Sequence, residues 1–395
     1  MTAIPPSPPS ARLPSLTGMR FLAALLVFMC HVATSQLVNA PGLNRSFAEN
    51  AAQLGWVGVS FFFILSGFVL TWTARAGDTP RLFIRRRLAK VYPNHLVTWV
   101  AGTAFLATAG TVTVFGVLPS LGLIQAWFPI PAVTFGPNDP SWSLCAELVF
   151  YLLCPWLLPL VNRIPAGWLW KVAGVLVLVL ALIPVVAQLL PEQPLMTYYQ
   201  GPSCEVSACE GMSWWHYWFV YIVPVSRLPE FLLGMVISRV VALGKQPSLR
   251  PGTAALLLIP GYAVMVALPD AYGMVWPTAI PLALVVMASA SADLTGRSWM
   301  GGRTMVRLGE LSFAFYMVHL LVLRHGPLAA GSGKLWSPAA AVALVGLSAA
   351  LTLAAAWLLH VLVEQPVMRR WSRPRRIAPP PPPQASVAQP GQRVP

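Results

Sequence analysis

The sequence predicts an all-α polytopic membrane helix bundle with ten transmembrane helices and both termini cytoplasmic. Three observations predict it. Of 395 residues, 56% are hydrophobic and 10% are charged, against about 25% charged in a soluble domain, so the chain has too few charges to cover a water-facing surface. Apolar segments long enough to cross a bilayer, roughly 17–25 residues each, recur along it. The arginines and lysines collect between alternate segments, as they do in cytoplasmic loops.

The apolar segments fall near 17–37, 55–75, 88–109, 142–161, 170–190, 215–238, 253–269, 274–291, 309–328 and 337–362. A further stretch, 113–127, is shorter and interrupted by glycine and proline. If it is passed over and the N-terminus is placed inside, the inside loops hold Arg75, Arg81 and Arg85–Arg87, then Arg163, then Arg239, Lys245 and Arg250, then Arg297, Arg303 and Arg307, with Arg369 and Arg370 after the last segment. The outside loops then hold little besides Arg45 and Lys334. Counting 113–127 as a span spoils this asymmetry, so it reads as an interfacial or re-entrant segment on the outer side. The net charge of +14 therefore belongs to membrane topology, with the lipid bilayer as partner and no nucleic acid. The expected location is the cell (inner or plasma) membrane, as a multi-pass protein.

Residues 1–15 are rich in Pro and Ser and read as a disordered lead. Residues 16–370 form the membrane domain, and 371–395 a Pro-rich disordered tail. Cys30, Cys145 and Cys154 lie in apolar segments, as small packing residues. Cys204 and Cys209 lie in a polar loop; they pair if it faces an oxidising compartment and stay reduced otherwise.

The polar residues inside the spans are the candidates for function, because a charged group in hydrocarbon costs at least about 2.5–3.5 kcal/mol on insertion scales. Arg20 and His31 lie in the first span, eleven positions apart. That is three turns plus about 20°, so both face one way, about 16 Å apart along the axis. A histidine serves as a base near neutral pH, or else packs against a neighbouring helix. Arg85, Arg86, Arg87 and Lys90 open the third span. They suit either anionic lipid or the phosphates of a cytoplasmic cofactor such as coenzyme A. Glu147 lies about a turn into the fourth span. Arg227 and Glu230, at i and i+3 in the sixth, can pair on one helix face. Ser312, Tyr316 and His319 form a polar stripe on the ninth, and Glu364 closes the last span one turn after His360. Together these groups predict a polar cavity, which would serve a transporter or flippase as well as an enzyme.

Six segments carry a family resemblance. They are LPSLTGMRFLAALLVFMCH in the first span, GVSFFFILSGFVLTW (58–72), FIRRRLAKVYP, SWSLCAELVFYLLCP (141–155), RLPEFLLGM (227–235) and LGELSFAFYMVHLLV (308–322). In this order and spacing the sequence resembles the acyltransferase three family of integral-membrane O-acyltransferases from about residue 13 to 370. The wording of the first span looks most like macrolide acyltransferases. The resemblance implies transfer of a short acyl group from acyl-CoA to a hydroxyl of a small glycosylated or polyketide metabolite, such as a macrolide, or of a cell-surface glycan. It implies His31 as base or acyl relay, Arg20 as the residue that orients or stabilises charge, and Glu147 as support. It assigns Arg86, Arg87 and Lys90 to the coenzyme A phosphates. One position departs from the family pattern, where Arg-x-x-Arg becomes Arg87-x-x-Lys90; lysine keeps the charge and loses the bidentate fork. O-acyl transfer needs a base and donors for the oxyanion. It needs no metal, and no zinc-type ligand cluster is visible in the sequence.

Overall fold

A computed structural model describes residues 12–74, 78–196, 211–296, 298, 300–330 and 332–371. Cys204 and Cys209 lie outside the described residues, as do most of the expected lead and tail. Among the described residues the chain is all helical, with no β-strand. Eight helical stretches are long and apolar enough to cross a membrane. They are α1 (Pro14–Thr34), α2 and α3 (Pro41–Ala51 and Leu54–Trp72), α7 (Trp142–Arg163), α8 (Leu169–Ala187), α9 and α10 (Trp214–Tyr217 and Pro224–Ala242), α13 (Trp276–Leu294), α14 (Arg303–His325), and α15 and α16 (Pro338–Leu359 and Gln365–Trp371). The protein is a multi-pass membrane protein. The other two expected spans are also helical. The third lies in α4 (Pro80–Thr108), which carries five cations in its first eleven residues and Asn94 and His95 in its middle. The seventh is divided into α11 (Pro251–Leu256) and α12 (Leu258–Ala267), short for a span.

The helix starts follow local chemistry. Pro14, Pro80 and Pro338 stand at first-turn positions, where the missing N–H costs nothing, and the hydroxyls of Thr79 and Ser337 accept from the N–H groups of Leu82 and Ala340. Packing is closest where glycine removes the side chain. Gly67 of α3 lies against the Phe231 carbonyl of α10, and Gly234 of α10 against the Ile64 carbonyl of α3. Gly309 of α14 lies in the same way against the Thr17 carbonyl of α1. Small residues that let backbones touch are the usual means of helix association in lipid, where apolar surface alone gives no preference between protein and tail. The α8 and α15 helices stand at the periphery, with Val175, Leu178, Val342 and Leu358 exposed to the surroundings.

Contacts between helix ends assign them to two sides. On one, Ser15 of α1 bonds Asp293 of α13, Arg239 of α10 donates to the carbonyls of Val161 (2.5 Å) and Ile164 (2.7 Å) at the end of α7, and Arg85 of α4 donates to Trp371 of α16 (2.9 Å). This basic end gathers the cation-rich loops that the sequence groups together. At the opposite end Asn39 bonds Trp336 (2.8 Å), and Tyr262 donates to the Asn50 carbonyl (2.7 Å).

The segment 113–127 does not cross. Its α5 (Val114–Leu121) has eight residues, about 12 Å of helix. A 3-10 turn (Gln125–Trp127), the short α6 (Pro131–Thr134) and a second 3-10 turn (Asp139–Ser141) follow. Irregular backbone survives at membrane depth only where protein covers it, and here protein does. The indole N–H groups of Trp214 and Trp218 donate to the carbonyls of Pro129 and Ala126 (both 2.9 Å), and the Asn138 amide donates to the Met317 carbonyl (3.0 Å). His95 meets the Ser120 carbonyl at 2.9 Å. This segment delivers the start of α7 to the middle of α14.

Candidate active site

The expected polar cavity is two cavities with one shared wall. The first, of about 110 Å3, is lined by Arg20 of α1, Arg87 and Lys90 of α4, and Ser143, Glu147 and Tyr151 of α7, over an apolar floor from α3. The second, of about 90 Å3, is lined by Cys30, His31 and Thr34 of α1, Asp139, Trp142, Tyr217 and Tyr221. Val59 and Tyr316 line both. Arg20 and His31 thus share a helix face and open into different cavities.

The first cavity is electropositive. Its three cations face one carboxylate, Glu147, which accepts from the Tyr151 hydroxyl at 2.5 Å. Arg87 and Lys90 reach the cavity together because i,i+3 residues share a helix face. The rest of the cation cluster turns elsewhere: Arg86 is paired with Asp78, and Arg85 bonds the Trp371 carbonyl. The sequence put Glu147 about a turn into the fourth span, which runs from the outer side inward. In the structure the inward course of residues 128–141 starts α7 deep enough for its carboxylate to face the cations that open α1 and α4.

Tyr316 holds the wall between the cavities. The Tyr316 hydroxyl shares a hydrogen bond with Ser143 (2.9 Å) and donates to the Pro140 carbonyl (3.2 Å), and its ring meets Phe62 edge-on at 5.9 Å. His31 of the second cavity is backed by His319, with ring centroids 5.2 Å apart. Asp139 is held by a fork from Arg324, at 3.0 and 2.5 Å.

Several expected site residues stand outside both cavities. Arg227 and Glu230 form a fully buried ion pair at 2.9 Å; the guanidinium also reaches Ser60 (3.2 Å) and lies over the rings of Phe63 and Tyr221. It braces α10 against α3. Ser312 donates back to the Gly309 carbonyl of its own helix (2.7 Å). Glu364 accepts from Asn94 (2.8 Å) and lies 3.4 Å from His360, joining a π-helical turn (His360–Glu364) to α4. Sequence reasoning missed Asp139 and Arg324. Their signal was an acidic and a basic residue flanking apolar segments, since charges at such depth survive by pairing.

A family model described as an acyltransferase domain matches residues 13–361. The chain belongs to the acyltransferase three family. It is an O-acyltransferase, which removes the transporter reading. It is 37% identical to acyltransferase MdmB of Streptomyces mycarofaciens over 96% of this chain and 98% of that protein. It is 28% identical to nodulation protein 10 of Rhizobium leguminosarum bv. viciae, over 79% and 82% of the two chains. Exopolysaccharide production protein ExoZ of Rhizobium meliloti is 27% identical, over 82% and 92%. No solved structure matches the chain significantly. Within the family match fall Arg20, His31, Arg86, Arg87, Lys90 and Glu147, the residues that the sequence resemblance singled out.

Proposed function

We propose that the protein sits in the cell membrane with ten spans and both termini cytoplasmic, and transfers a short acyl group from acyl-CoA to a hydroxyl of a small glycosylated or polyketide metabolite, with cell-surface glycans as the wider acceptor class. The observation that carries this reading is the pair of cavities. Arg20, Arg87 and Lys90 offer charge for the phosphates of coenzyme A from the basic end, while His31 offers a base in the adjoining cavity. Eleven helical residues, about 16 Å, separate Arg20 from His31, a distance suited to an extended pantetheine arm once the Tyr316 ring between the two cavities turns aside. His31 takes the acceptor's hydroxyl proton as the oxygen attacks the thioester carbonyl. The new C–O bond forms, the C–S bond breaks, and the proton passes to the sulfur, leaving coenzyme A as the thiol. General-base help of this kind is worth about 10²–10⁴-fold. The wording of the first span, which looks most like macrolide acyltransferases, favours a small acceptor. Coenzyme A release by purified protein in detergent, with acetyl-CoA and longer acyl-CoAs and a panel of macrolide and sugar acceptors, tests the reading. Acceptor-dependent release is expected from the wild type and is lost in His31→Ala; equal release from both would remove His31 from the chemistry.

A further inference from the structure

His31 and His319 leave two nitrogens of opposite need on facing rings. His319 is fully buried, and its Nδ1 lies 2.6 Å from the Tyr316 carbonyl. A carbonyl only accepts, so Nδ1 carries the proton and the neutral ring keeps a bare lone pair on Nε2. That Nε2 is buried without a partner, and so is Nδ1 of His31. The rings stand 5.2 Å apart between centroids and are tilted by 40°, a separation at which a small side-chain rotation closes an N–H···N bond of ordinary length, about 3 Å. Phe28 lies at 6.4 Å from the His319 ring and Phe315 is stacked on it at 6.5 Å. An unsatisfied buried polar atom is costly, and this one bond satisfies two.

We infer that His319 is a positioning residue for His31: the Tyr316 carbonyl fixes the His319 tautomer, and His319 Nε2 then accepts the Nδ1 proton of His31, so that His31 presents a bare Nε2 to the second cavity. His31 lines that cavity and His319 does not, so His319 stands behind the base and touches no substrate. The arrangement puts a histidine where other general-base histidines are oriented by a carboxylate or a backbone carbonyl. A neutral orienter adds no charge to a cavity whose wall already holds the Asp139–Arg324 pair. The inference rests on the role proposed above for His31.

The test uses full-length protein in detergent with 15N-labelled histidine, and His31→Ala assigns the His31 signals. In the wild type, long-range proton–nitrogen spectra are expected to show His31 as one tautomer, with the proton on Nδ1. His319→Leu removes the acceptor and mixes the tautomers, while His319→Gln, whose amide oxygen can accept at the same place, restores the single form. In acyl transfer, His319→Leu is expected to lose roughly 100-fold in kcat, the low end of general-base contributions, with the KM for acyl-CoA unchanged, and His319→Gln to recover to within about tenfold of the wild type. A wild-type His31 with its proton on Nε2, or equal kcat values for the Leu and Gln variants, overturns the inference. The wild-type spectrum decides even if His319→Leu does not fold. Full activity in His31→Ala would instead bring down the proposed function, and the spectra would still read the His31–His319 bond.

Discussion

Arg324 grips Asp139 with two nitrogens, at 3.0 and 2.5 Å, across 185 positions of sequence. The pair ties the far end of α14 to the turn that opens α7, and Asp139 is also a wall of the His31 cavity. The side chains are 20% and 11% exposed, so the pair stands between an exposed bridge, worth about 0–1 kcal/mol, and a buried one, whose breakage costs about 3–5 kcal/mol. Asp139→Asn and Arg324→Gln should each lower stability by about 2 kcal/mol, and the double variant by clearly less than the sum. Thermal unfolding in detergent, read as a double-mutant cycle, measures this; strict additivity would show that the two groups do not interact.

The division of the cation cluster makes a prediction within two adjacent turns of α4. Arg87→Ala and Lys90→Ala should each raise the KM for acyl-CoA roughly ten- to hundredfold, since a charge-assisted hydrogen bond is worth about 1.5–3 kcal/mol and 1.4 kcal/mol is tenfold. Arg86→Ala should change it by less than about fivefold, because Arg86 is already engaged by Asp78 and a partly exposed pair contributes about 0–1 kcal/mol. Steady-state kinetics at saturating acceptor separates the three, and an Arg86 effect as large as that of Arg87 would place the phosphates elsewhere.

Gly67 and Gly234 hold α3 and α10 in backbone contact, and a methyl group on either would collide with a carbonyl of the other helix. Gly67→Ala and Gly234→Ala should destabilise by about 1–3 kcal/mol, as overpacking does. Gly174→Ala on α8, where nothing lies within 4 Å, should be neutral or stabilise by up to about 1 kcal/mol, from helix propensity alone. Melting temperatures of the three variants in one detergent check the contrast.

The sequence by itself determined the solvent, the helical class and most of the chemistry on offer. Crossing lipid demands about 20 apolar residues per helix, so the spans can be read from runs of Leu, Val and Phe, and Arg20, His31, Arg87, Lys90 and Glu147 stand out because they are costly there. Spacing along one helix also settled which groups share a face: Arg20 with His31, and Arg227 with Glu230. Only the tertiary structure decided which faces meet. It divided one expected cavity into two at Tyr316, withdrew Arg227 and Glu230 into a brace between α3 and α10, turned Arg86 to Asp78, and brought His319 behind His31. Each of these depends on contacts between helices far apart in sequence. Periodicity fixes how residues are arranged around a single helix axis, whereas the choice of neighbouring helix is set by close packing at residues such as Gly67 and Gly234 and by the pairing of buried polar atoms.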